Sequence, residues 1–107
     1  KGVAHLTAAT PDYAQAAAWY RRAADQGHAS SQIELADLYA RALGVQRSDV
    51  EAFRWILIAE SRAASPEDRT AYAAARERLS RRMTAAQLTE ARRLAREWIE
   101  AFDSRRR

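Results

Sequence analysis

Thr10-Pro11-Asp12-Tyr13-Ala14-Gln15-Ala16-Ala17-Ala18-Trp19-Tyr20-Arg21-Arg22-Ala23-Ala24-Asp25-Gln26-Gly27 decides the fold. It reads as a cap, a helix of small residues around Trp19-Tyr20, and a glycine stop. Thr10 can accept first-turn N–H groups, and Pro11 suits the first helical position because its missing N–H would lack a partner there. Ala16, Ala17, Tyr20, Ala23 and Ala24 recur at three- and four-residue steps and form one apolar face. Gly27 supplies a left-handed residue at little steric cost. The inner pattern Ala16-x-x-Trp19-x-x-x-Ala23 returns as Ala52-x-x-Trp55-x-x-x-Ala59, displaced by thirty-six residues at all three positions. Helix pairs recurring at a period in the thirties are the signature of an α-solenoid, in which each unit buries its apolar face only by stacking on its neighbour.

Between the two copies, Ala29 to Leu43 reads as a second helix with Ser31, Leu35, Leu38, Tyr39 and Ala42 inward, closed by Gly44. Ser48-x-x-Glu51 is a capping box that opens a third helix. That helix carries the unbroken run Trp55-Ile56-Leu57-Ile58-Ala59, and a helix apolar on several sides belongs at the centre of a core. Ser65-Pro66-Glu67-Asp68 restarts the chain with a cap, a first-position proline and two acids suited to the helix dipole. Helix four then places Tyr72, Ala75, Leu79 and Met83 inward. Thr84-x-x-Gln87 is a further capping box, and helix five carries Leu88, Ala91, Ala95, Trp98 and Phe102 opposite a polar face of Arg92, Arg93, Arg96 and Glu100. The helical phase points Trp19, Trp55 and Trp98 into the core, and Asp103 to Arg107 is expected to fray. Residues 1–9 lack periodicity and read as a loop. Gly2-Val3 followed by Asp12 echoes Gly44-Val45 followed by Asp49, so the chain is expected to start in mid-repeat, as the C-terminal part of a longer protein.

At 107 residues the chain has room for one domain, with 12–61 as the repeat region and 65–103 as C-terminal capping helices. Cysteine is absent, which removes disulfides, thiolate metal sites and cysteine nucleophiles. No apolar run approaches the ~20 residues that span a bilayer. The net charge of +4 is uneven: residues 1–61 hold six basic and seven acidic side chains, residues 62–107 twelve and seven. A basic C-terminal half can meet a polyanion, but a solvated helical surface is the preferred reading.

With these residues in view, the chain resembles the Sel1-like repeat family, relatives of the tetratricopeptide repeats. The resemblance rests on Asp12-Tyr13-Ala14-x-Ala16-x-x-Trp19-Tyr20-Arg21-Arg22-Ala23-Ala24-Asp25-Gln26-Gly27-His28-Ala29, then Gln32-x-x-Leu35-Ala36-x-Leu38-Tyr39, Gly44-Val45 and Asp49-x-x-Ala52-x-x-Trp55. Ser31 stands where the family prefers Ala, and Ala42 where it prefers Gly, which suggests slightly wider packing at helix two. Beyond Ser61 the repeat is lost; Thr84-Ala85-Ala86-Gln87-Leu88 and Ala95-x-x-Trp98 are similar to segments that close such arrays in bacterial envelope proteins. The resemblance implies an all-α, right-handed solenoid of antiparallel helix pairs, about five helices here. It also implies an adaptor that presents a concave surface to a protein or peptide, without chemistry of its own, and on the same ground a periplasmic or envelope setting.

The residues offer no competing chemistry. His5 and His28 lack the partner spacing of a metal site, and the three scattered glycines form no phosphate-binding loop. No catalytic residue, cofactor, metal or small-molecule substrate is therefore expected. Ile33, Glu34, Asp37 and Arg41 lie off the inward stripe of helix two and are the candidate partner-binding residues. Ile33 is informative among them, because an apolar side chain at an exposed position suits either a binding groove or packing against a further repeat. The alternative is polyanion or nucleic-acid binding through Arg76, Arg78, Arg81, Arg82, Arg92, Arg93 and Arg96. A third reading is structural: the chain caps a longer array, or self-associates, through Trp19 and Tyr20 on the first helix.

Overall fold

Side-chain caps set four of the five helix starts, and a computed structural model describing residues 12–105 shows how they are used. Five helices follow in order: α1 Tyr13–Asp25, α2 Ala29–Arg41, α3 Asp49–Ser61, α4 Pro66–Ser80 and α5 Ala85–Arg105. The cap of α1 is Asp12, whose carboxylate accepts from the Gln15 N–H at 3.0 Å. The expected cap residues Thr10 and Pro11 lie outside the described residues. Ser48 accepts from the Glu51 N–H at 3.1 Å. The box is not reciprocated, because the Glu51 carboxylate is taken by Arg54 at 2.8 Å and the Ser48 N–H donates to the Tyr39 carbonyl. Ser65 caps α4 on the Asp68 N–H, with Pro66 in the first turn. Thr84 and Gln87 complete a full box, each accepting the other's backbone N–H.

The ends follow a different logic. His28 and Gly27 donate to the carbonyls of Ala23 and Ala24, closing α1 in a Schellman motif with Gly27 at φ +93°. The second helix stops at Arg41, not Leu43, because Ala42 itself adopts the left-handed conformation at φ 58°. This is the physical content of the alanine-for-glycine difference: it costs backbone strain rather than wider packing. The left-handed conformation at a non-glycine residue costs roughly 1–2 kcal/mol. Gly44, also left-handed, lies against the start of α1, where a Cβ would run into the backbone of Tyr13 and Ala14. The last helix continues to Arg105, through the first three of the residues expected to fray; 106–107 lie outside the described residues.

The centre of the molecule is α3, which packs against α2, α4 and α5. Trp55, Phe53, Ile58, Ala52 and Ala59 are all but inaccessible to solvent. Small buried residues on the neighbours, Ala24, Ala36, Ala91 and Ala95, let the backbones approach closely. The Trp98 ring meets Trp55 edge-on, with centroids 5.7 Å apart, and stacks on Phe102 at 4.8 Å. The final helix thus turns back onto α3 rather than pairing with α4. Trp19 departs from expectation: it is 59% exposed, because α1 packs chiefly on α2 and Trp19 faces away from it. Tyr20 is half-buried.

Two substitutions test the α2–α3 turn by urea denaturation. Ala42→Gly should raise the unfolding free energy by about 1 kcal/mol through relief of the left-handed strain. Gly44→Ala should lower it by more than ~2 kcal/mol, since both the backbone angle and the space forbid a Cβ.

Candidate functional site

Parallel α2 and α4 flank α3 and leave a groove between them with a cavity volume of about 610 Å³. Their direction follows from what meets: Glu34 and Asp68, both near helix starts, lie close to Tyr72, whereas Arg82 near the end of α4 donates to the Ala40 carbonyl at 2.8 Å. Ala36 and Ile56 form part of the floor. Ile33, Glu34, Asp37 and Ala40 make one wall; Ala71, Tyr72, Ala75, Arg78, Leu79 and Arg82 make the other. Of the candidates from helix two, Ile33, Glu34 and Asp37 therefore line one concavity. Arg41 does not; it lies a turn beyond and pairs with Asp37 at 3.2 Å. Ile33 is half-buried and packs against the core, so it serves both the fold and the groove.

The α4 wall was hidden in the sequence because Tyr72, Ala75 and Leu79 satisfy a core stripe. Tyr72 and Leu79 are indeed buried, at 8% and 7% exposure, yet the same side chains border the open groove. Burial, with the Asp68 and Glu34 carboxylates nearby, pushes the Tyr72 phenol above its ordinary value. The groove is acidic at this end. Arg78 and Arg82 mark the other end as basic.

The seven C-terminal arginines do not form one free band. Arg76 holds Glu60 through two bonds of 2.8 and 3.2 Å, tying α4 to α3. Arg82 grips Asp49 at 2.7 and 3.1 Å while bonding Ala40, so it joins α4 to the start of α3 and the end of α2. Arg93 lies between Glu90 and Glu97, at 2.6 Å from each, and these bonds draw the Glu90 carboxyl below its usual range. Arg92 lies over the Phe53 ring at 5.9 Å. Arg78, Arg81 and Arg96 make no ion pair among the described residues. Three of the seven thus already have carboxylate partners.

Two further polar contacts that the sequence did not single out lock the repeat together. Gln32 is fully buried, and its amide donates to the Ala24 carbonyl at 3.0 Å. Arg62 donates to the Gly27 carbonyl at 2.7 Å while its guanidinium stacks over Phe102 at 4.6 Å, joining the α1–α2 turn to α5. Among the described residues no group of three or more His, Cys, Asp or Glu could hold a metal ion, and no helix is long and apolar enough to cross a membrane. His28 sits at the start of α2 without a side-chain capping bond, and His5 lies outside the described residues.

Comparison with known proteins agrees with this architecture. The family model described as Sel1 repeat matches residues 2–28 and 29–62, more than half of the chain. The crystal structure of a protective antigen present in uropathogenic Escherichia coli strains, displaying an SLR fold, superposes with a TM-score of 0.73 and is 34% identical. The alignment covers 85% of this chain and 19% of the antigen, so the chain spans about a fifth of that protein's length. No curated protein matches.

Asp49 gives the site a pH signature. Burial would raise its carboxyl, but hydrogen bonds and charge from Arg82, then Arg47, outweigh burial and hold it below the ordinary 3.8. A lowered carboxyl contributes stability above its unfolded value and loses it as pH falls through the folded one. At pH 7, Asp49→Asn should be about 1 kcal/mol less stable than the wild type. In thermal unfolding that gap should narrow below pH 3.8 and vanish once the folded-state carboxyl is protonated.

Proposed function

The chain belongs to the Sel1 repeat family, and on that premise we propose that it is a protein-interaction module whose α2–α4 groove receives a segment of a partner protein. The observation that carries this reading is the groove itself: an apolar floor left open between two helices, with exposed acids on one rim and, on the other, Arg78, which makes no ion pair among the described residues. A surface of this kind gains from burial. Its rim charges choose the partner and the direction of docking. Glu34 and Asp37 are exposed, so their replacement separates binding from folding, whereas a charge at half-buried Ile33 would disturb both.

Glu34→Arg/Asp37→Arg serves as the test. In an affinity capture from the source organism's extract, the wild-type chain should retain a protein that the double variant loses, with the two melting within a few degrees of each other. Retention of the same proteins by both would remove the groove from consideration.

The exposure of Trp19 favours a second reading, in which the outer face of α1 receives a further helix, from another repeat or a second copy. Sedimentation equilibrium should then show self-association that Trp19→Ala weakens; a monomer at all concentrations excludes the second copy. Polyanion binding, the remaining alternative, has less material, since Arg76, Arg82 and Arg93 are held by carboxylates. It requires affinity for duplex DNA that falls steeply with added salt.

A further inference from the structure

We propose that the occupant of the groove is an amphipathic α-helix lying antiparallel to α2 and α4, with an acidic first turn and a basic last turn. This rests on the groove reading above and adds the conformation, direction and charge order of the partner.

Conformation follows from what the walls can offer. Both walls are mainly helix interiors, where N–H and C=O groups are bonded within the helix; the exception is the Ala40 carbonyl near the end of α2, which already accepts from Arg82. An extended segment on such walls would leave its own backbone groups without main-chain partners and under cover, a costly state. A helix satisfies its backbone internally and presents only side chains. The natural precedent is in the fold itself: α3 lies against the same two helices from the other side.

Direction follows from charge. One end of the groove carries Glu34, with Asp68 close to Tyr72; the other carries Arg78 and Arg82. Glu34 and Arg78 are exposed and make no ion pair among the described residues, so each has charge to spare. From Tyr72 to Ser80, where α4 ends, is about 12 Å at 1.5 Å per residue, a little over two helical turns, with Arg82 in the turn beyond. A helix of that length, set antiparallel, brings its N-terminal turn to Arg78, beside an Arg82 already bound to Asp49, and its C-terminal turn to Glu34 and Asp68. Acids in the first turn and bases in the last are also what the macrodipole of the incoming helix favours. The parallel orientation would need a basic first turn and an acidic last turn, against that dipole. Groove and guest therefore agree only in the antiparallel setting.

The test is selection from a displayed library of random 16-residue peptides on the immobilised wild-type chain. Winners should show apolar residues at three- and four-residue spacing, acids near the start and Lys or Arg near the end, and helical circular dichroism when bound. Exchanging the charged ends of the best binder should weaken it about tenfold by fluorescence anisotropy. On a folded Glu34→Arg/Arg78→Glu variant the preferred order should invert. Proline-rich winners, winners in the opposite charge order, or no enrichment at all would overturn the helical, antiparallel occupant. If the capture experiment still shows groove-dependent retention in that case, the groove reading survives and only this refinement falls.

Discussion

Burying Trp55 and Phe53 completely requires other helices to surround α3, and the remaining architecture is a consequence of how that cover is arranged. The large rings sit where alanines on the facing helices allow close approach, so volume lost at one position is recovered at the next. With α2, α4 and α5 around one apolar helix, the groove between α2 and α4 is the space left where no further helix of this chain fits. Core and candidate site are thus two sides of the same arrangement.

Charge reinforces this arrangement at its seams. Arg76 and Arg82 fasten α4 along α3, the first through Glu60 near the end of α3 and the second through Asp49 at its beginning. The two contacts therefore fix the angle of the α4 wall and with it the width of the groove. Half-exposed pairs of this kind contribute modestly to stability, but each is bidentate, and bidentate geometry constrains orientation as well as distance. Two of the seven C-terminal arginines that suggest an anionic partner, Arg76 and Arg82, are thus spent on holding helices in register.

The period-36 recurrence and the cap signatures made the five helices and the central place of α3 readable in advance. They failed where a local signal had two physical meanings. Trp19 shares its repeat position with Trp55, but position within a repeat does not guarantee a covering neighbour, and only Trp55 has one. Ala42 carried the right stop signal in the wrong residue type, so the helix end was placed two residues late. One wall of the groove, Ile33, Glu34 and Asp37, was visible as polar and apolar residues off the inward stripe. The other was not, because periodicity cannot distinguish a side chain buried in a core from one half-covered at the lip of a cleft.

The buried amide of Gln32 bonded to the Ala24 carbonyl belongs wholly to the joint between α1 and α2. A unit duplicated at that joint would carry both halves of the lock with it, so the array can lengthen there by gene duplication without inventing new contacts. The joint between α3 and α4 uses Arg76 on Glu60 instead, and α5 then folds back across α3. Growth past that point would have to dismantle the closure first. Among the described residues the two ends of the array therefore differ: the α1 end leaves Trp19 uncovered, while α5 closes over α3.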